Sequence, residues 1–351
     1  MFKIAVVGAG VFGSTCALRL AALGHKCVLF EKKDSILCCA SRVNQYRFHR
    51  GYHYPRGKET VNQLSKSSRR FQEEYGNTID YKMKNIYALA EEKSLVNKDQ
   101  YIDFLESNSL EYKIISECES LKSEMFSSIF EVKEGLINLP LLKNLLTKRI
   151  KNNKNLKVKF KTNFNNKFAD EFDFIIICTY GLSSHLLPKK IRREYKYQLI
   201  EKPVVIPPLS LRNRSIVIID GPFMCIDPMI GTDLSVLGNV KHAIYQTNCG
   251  YQPNSISSDF HINPWEDIKE SSKSRFHIFI DHGRQYIKDF ENCEFKYSMT
   301  GFRVININRE KTDDRPTYIN NYGKYFEVSS GKIDTCSWAA DEIANLIEVK
   351  K

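Results

Sequence analysis

The sequence predicts an α/β protein in two parts. A parallel-stranded domain is assembled from discontinuous segments (1–76, 134–200 and 296–351), and a mainly antiparallel α+β domain (77–133 and 201–295) is inserted into it. Three observations carry this reading. The opening residues, "KIAVVGAGVFGSTCALRLAALGHKCVLFEKK", run strand, glycine turn, helix, strand. Far downstream, "DFIIICTYG" (Asp173–Gly181) contains an unbroken apolar run, as found where both faces of a parallel sheet are covered. From about Lys202 to Phe295 the pattern turns strand-rich, with alternation in "SIVIIDGPFMCIDP" and "KHAIYQTN".

Taken in order, Ile4–Val7 form the first strand. The helix that follows, from about Ser14, sets Cys16, Ala17, Leu20 and Leu23 at helical spacing, and Gly24 can end it in a left-handed cap. Cys27–Phe30 make the next strand, closed by Glu31. Glu59–Tyr75 reads as a helix with Val61, Leu64, Ser68, Phe71 and Tyr75 along one side. Residues 78–132 mix short strands with amphipathic pieces such as "VNKDQYIDFLESN". "EGLINLPLLKNLLTKRIKN" predicts a helix with Pro140 in its first turn, where a missing N–H costs nothing, and Leu142, Leu145, Leu146 and Ile150 inward. "LKVKF" and "DFIIICTYG" follow as strands, the second central. "FHIFIDHG" (Phe276–Gly283) reads as a strand, with His277 and His282 on opposite faces. The end is strand, glycine turn and final helix.

A net charge of +11 leaves nucleic acid, an anionic membrane or an acidic substrate open as partners. The basic clusters "KRIKNNKNLKVKFK" and "KKIRREYK" lack interleaved stacking aromatics, so they read as solvated surface and nucleic acid is not the expected partner. No apolar run reaches the length of a membrane span, and no secretory leader is read at the N-terminus, so the expected location is the cytoplasm. Of ten cysteines, Cys16, Cys27 and Cys178 sit in apolar patterns, and adjacent Cys38 and Cys39 lack a second pair at zinc-like spacing. No metal site is expected.

Gly8, Gly10 and Gly13 spell G-x-G-x-x-G between strand and helix, and an acid, Glu31, closes the second strand. Each part has a task. Gly8 permits the tight turn, Gly10 lets backbone approach a pyrophosphate, and Gly13 lets the helix pack on the strand. The helix N-terminus offers unpaired N–H groups to phosphate, and Glu31 can accept from ribose hydroxyls. The fragment predicts dinucleotide binding without choosing between NAD and FAD.

Two later stretches favour FAD. "DFIIICTYG" resembles the second nucleotide-side motif of two-dinucleotide-fold flavoproteins, and "SSGKIDTCSWAADEIANLI" (Ser329–Ile347) resembles their C-terminal flavin motif. With "AS" (Ala40–Ser41), "EGLINLP", "GFRV" (Gly301–Val304) and "DDRPTYI" (Asp313–Ile319), the chain resembles FAD-dependent oxidoreductases of the D-amino-acid-oxidase type, which include glycine and sarcosine oxidases. The resemblance covers nearly the whole chain. It implies a Rossmann-like domain holding FAD through Gly8, Gly10, Gly13, Glu31, Ser41, Arg42, Asn44, Gly181, Arg303, Gly331, Lys332, Ile333 and Asp334. Val304 stands where the amino acid oxidases usually carry proline in G-[FLY]-R-P, which leaves their carboxylate-binding arginine unassigned. No cysteine context for covalent flavin attachment is found; Cys336 falls in the last helix's first turn.

In such flavoproteins the segment after the second strand passes beneath the flavin and lines the substrate cavity. Here that segment is "RFHRGYHYPR" (Arg47–Arg56). The resemblance therefore implies a catalytic set of Arg47, His49, His53 and Tyr54, with Arg56 nearby, Gly51 permitting a turn and Pro55 fixing its exit. His53 is expected to change charge near neutral pH. Asp220, Asp227, His242 and Tyr245 are further candidates. The implied activity is oxidation of a C–N bond in an anionic amine, an amino acid or amino-sugar-like molecule, by hydride transfer to flavin N5. The electron acceptor is left open. A flavin-dependent hydroxy-acid or alcohol dehydrogenase, and a basic flavoprotein acting on nucleic acid, are the alternatives.

Overall fold

The structure is a computed structural model, and it describes residues 1–350 except positions 183, 261 and 308–311. Among the described residues two large sheets carry the fold. The first is six-stranded, in the order Tyr318–Tyr322, Tyr325–Ser329, Phe174–Ile177, Lys3–Val7, Lys26–Phe30, Leu156–Lys159. Its strands are parallel except the edge hairpin made by Tyr318–Tyr322. Lys3–Val7 lies between distant partners, with Ile4 opposite both Phe174 and Cys27. Apart from Lys3, these two central strands are apolar along their length because both faces are covered. The helices Val11–Ala22, Leu139–Lys151 and Cys336–Glu348 pack on one side, and a cluster around Phe164, Phe172 and Leu187 on the other.

The first helix begins at Val11, three residues before the expected start, because Gly10 is already its extended cap residue (φ −67°, ψ −179°). It ends at Ala22, so Leu23 is 43 % exposed, and Gly24 turns the chain at φ +87°. The middle helix starts with Pro140 in its first turn, capped by the Asn138 side chain.

The second sheet has ten strands, built on the long antiparallel pair Tyr195–Ile206 and Glu294–Asn306. Both strands run across the positions 200 and 296. Arg214–Ile219 joins Lys84–Ala90 in parallel and starts a meander through Met224–Pro228 and Ser235–Asn239. The stretch Phe276–Gly283 corrects the sequence reading: it is a helix. A short apolar run fits either period, and packing decides it here, with Phe279 buried and Gly283 pressed against the Phe290 ring. A small three-stranded sheet, Arg47–Phe48, Gly135–Ile137 and Ile79–Asp80, anchors the start of the basic aromatic segment. Among the described residues no helix is long and apolar enough to cross a membrane.

Candidate functional site

A cavity of about 1050 Å³ opens at the glycine turn and extends to the second sheet. At the turn Gly8 has φ +96°, and a Cβ there would sit 2.8 Å from the Cys178 carbonyl oxygen. A Cβ on Gly13 would fall 1.8 Å from the Gly8 carbonyl oxygen, so the helix can lie this close only with glycine. The Val11 N–H donates to Ser41 Oγ (2.9 Å), and a Cβ on Gly10 would approach that same Oγ to 3.1 Å. Glu31 is buried at the strand end, accepting from the Ala9 N–H (2.7 Å) and the Lys33 N–H (2.9 Å). Each carboxylate oxygen keeps a lone pair for a further donor. Gly8, Gly10, Glu31 and Ser41 all line the cavity.

The segment Arg47–Arg56 forms one wall, but its members do different things. Arg47 is buried in an ionic cluster: it donates to Asp227, to the Tyr87 hydroxyl (2.9 Å) and to Glu134 (3.4 Å). Tyr87 donates to Glu134 (2.6 Å) and Ser215 to Asp227 (2.7 Å). Burial alone would raise the Glu134 carboxyl, but His49, Arg47 and the Tyr87 hydroxyl hold it at about 2. His49 Nδ1 stands 3.6 Å from Glu134 Oε1, and burial holds its own pKa below the usual histidine range. Tyr54 is buried and accepts from the Lys332 ammonium, which lies 4.1 Å from its ring centre. Gly51 makes the turn at φ +117°.

His53 overturns an expectation. Burial, and then the charge of Arg47, push it down to about 3, and its Nδ1 meets no hydrogen-bond partner among the described residues. It is neutral at every physiological pH.

The remaining candidates divide. Asn44 lines the cavity and fixes the loop, donating to the Ser41 carbonyl (2.7 Å) and accepting from the Tyr46 N–H (2.6 Å). Gly331, Lys332, Ile333 and Arg303 line it too, with Arg303 donating to Gln198 (2.7 Å). Gly181 has φ +74° and lies between the lining residues Tyr180 and Leu182. Arg42 is drawn off to Asp267, in two hydrogen bonds of 2.6 and 2.8 Å, and does not line the cavity. Asp334 is fully buried outside the lining, and burial raises its carboxyl well above the usual range. Asp220 lines the cavity, whereas Asp227 serves Arg47 and Tyr245 donates to buried Glu201. His242 is outside the lining.

Sequence reasoning missed Lys202, Glu134, Asp313 and Arg315 as site residues. Lys202 lines the cavity, donates to Gln45 Oε1, and is pushed down to about 8 by burial. Arg315 donates to Asp313 (2.9 Å), and both face the cavity beside Lys332. Burial, reinforced by Arg315, pushes Lys332 down to about 7. Asp313 and Arg315 lie in a stretch whose pattern was legible; Lys202 carries no local signal at all.

Comparison with known proteins bears on the family and the fold. A family model described as FAD dependent oxidoreductase matches residues 3–344. The FAD-dependent monooxygenase FPY4 of Fusarium mangiferae is 25% identical over 357 residues, covering 99% of this chain and 91% of that protein. Among solved structures, glycine oxidase from Geobacillus kaustophilus superposes with a TM-score of 0.73 at 16% identity, covering 100% of this chain and 95% of the other. L-alpha-glycerophosphate oxidase from Mycoplasma pneumoniae, solved with FAD bound, gives 0.72 at 14% identity, covering 99% and 94%.

Proposed function

The chain belongs to the FAD-dependent oxidoreductase family, and from that premise we propose that it oxidises a C–N bond in an anionic amine, an amino acid or an amino-sugar-like molecule. FAD is the cofactor, and when bound it supplies the acceptor for the hydride equivalent lost from the substrate carbon. The residues fit it: glycines whose Cβ atoms would clash, a helix N-terminus, and a carboxylate with acceptor capacity at the nucleotide end. Gly8, Gly10, Glu31 and Ser41 would hold the nucleotide, and Asn44 with Gly331–Ile333 the flavin end.

One observation carries the substrate reading: Lys332, Arg315, Arg303 and Arg56 all face one cavity, near two carboxylates that arginines already bind, Asp313 (by Arg315) and Asp220 (by Arg56). Positive charge at a partly desolvated wall attracts a carboxylate or phosphate strongly. His53, held neutral, and His49, whose pKa burial lowers, can each offer a ring nitrogen to the substrate N–H. An amine must be uncharged to release hydride, and the neutral His53 ring favours that form. No strong base is required. The polar cluster of Arg47, Glu134 and Asp227 keeps this wall rigid behind the reacting atoms.

The test is anaerobic bleaching of the flavin by anionic amines set against their 2-hydroxy analogues, followed by peroxide measurement in air. Bleaching by the amines is expected. Bleaching by hydroxy acids alone would replace this reading with a hydroxy-acid dehydrogenase.

A further inference from the structure

The basic cluster at Lys148–Lys161 reads in the sequence as solvated surface, and the fold gathers it on one edge. Residues 135–169 hold eight lysines, one arginine and no acid, so the net charge of +11 falls to +2 without them. The run passes from the last turn of the helix Leu139–Lys151 into Leu156–Lys159, the outermost strand of the first sheet, which pairs only with Lys26–Phe30. Lys148, Lys151, Lys154, Lys157, Lys159 and Lys161 are all exposed. Backbone bonds bring Lys32 and Lys33 to the same edge: the Glu31 N–H donates to the Lys159 carbonyl (3.0 Å) and the Lys161 N–H to that of Lys33 (2.9 Å). Arg149 is paired with Glu74 (3.7 Å), but among the described residues no lysine at 148–161 pairs with a carboxylate. The acids that follow, Asp170 and Glu171, face Lys324 (3.8 Å) and Lys3 (3.5 Å) instead. A bare strand edge and a helix C-terminus each favour a lysine or two. Six exposed ones with no acid between them exceed that need.

We propose that this edge docks the protein on an anionic lipid surface. Lysine is a compact charge on a flexible stem, suited to a diffuse layer of headgroups. A nucleic-acid strand is held instead by arginine forks and by rings that stack on its bases. Here the one arginine is already paired, and the one exposed ring is Phe160. Phe160 and Leu141, 41 % and 42 % exposed, are apolar side chains of the kind that enter the headgroup layer. The attachment is peripheral and holds whatever the substrate is. Each lysine near such a surface contributes about fivefold to the partition.

The experiment sediments the FAD-loaded protein with vesicles of phosphatidylcholine alone and with vesicles containing about one-third phosphatidylserine. Binding to the anionic vesicles only is expected, and about 0.5 M salt should release it. Lys151→Gln with Lys154→Gln should weaken that binding roughly 25-fold. Lys113→Gln with Lys288→Gln, the same change of charge at exposed positions outside the first sheet, should leave it within about twofold. Equal losses from the two pairs, equal binding to neutral vesicles, binding that salt does not release, or no binding to the anionic vesicles overturns the proposal. So does salt-sensitive binding of a single-stranded RNA by a protein that ignores the vesicles, which assigns the edge to nucleic acid.

Discussion

His53 sits in the cavity wall, close to two arginine-bearing segments, and its consequence is a stability profile, not a titration in the catalytic range. Its folded pKa, about 3, lies below the unfolded value of about 6.5. The unfolded chain therefore binds more protons between those values, so the folded state loses stability as pH falls through that window and keeps it in full above. His53→Asn should flatten the fall in melting temperature between pH 6.5 and 4. The expected difference is on the order of 2 kcal/mol, allowing for screening at its partly exposed edge. An unchanged acid limb would mean that His53 is solvated. Lys332 makes the complementary case: at about 7 it is mostly neutral at pH 8. A carboxylate seated beside it favours the charged form, so propionate binding at pH 8 should draw in roughly one proton. Calorimetry in two buffers of different ionisation heat measures that uptake, and Lys332→Met should abolish it. Binding without proton uptake in the wild type would place the anion elsewhere.

The strand–glycine–helix unit obeys one steric rule per glycine, and the rules differ in severity. A methyl at Gly13 meets backbone, the Gly8 carbonyl oxygen, which cannot move without displacing the strand. A methyl at Gly10 meets the end of a side chain, Ser41 Oγ, at a distance that a small rotation relieves. Gly13→Ala should therefore cost the FAD-free protein about 1–3 kcal/mol or more, and Gly10→Ala well under 1 kcal/mol. Urea midpoints of the two variants check this, and equal midpoints would mean that the helix shifts to accommodate either. Such a unit is legible in sequence because its constraints are local. Phe276–Gly283 was not, because eight residues of apolar pattern fit both periods and the choice falls to Phe290, which the Gly283 position must accommodate. The partners of Arg47 were equally hidden. Glu134 and Asp227 lie 87 and 180 positions along the chain, and only the meeting of the small sheet with the large one brings them together. That meeting gives Arg47 a structural burden; removing it would leave two buried carboxylates without their shared cation.

At the scale of the whole molecule, the nucleotide half was readable from its three apolar strands, while the cavity's chemistry was readable only in part. Lys332 lies inside a recognisable closing motif. Lys202 reaches the cavity solely because a long strand crosses beneath it, and nothing within several residues of it marks that fate. Burial, which shifts the titration of His53, Lys332 and Asp334, belongs to the assembled fold and to no stretch of it. The arrangement of the first sheet also bears on how the protein is made. Its opening strand waits for Phe174–Ile177, and the helix beside the glycine turn is covered by Cys336–Glu348, whose inner face is Cys336, Ala339, Ala340, Ile343 and Ile347. A chain emerging from the ribosome N-terminus first therefore carries an incomplete nucleotide site until Cys336–Glu348 has been made. Its first helix meets Tyr75 and Leu139–Lys151 earlier, but the face that Cys336–Glu348 covers stays open for that interval. A nascent chain is therefore expected to hold FAD only after Cys336–Glu348 has closed over the first helix, and to carry an exposed apolar face until then.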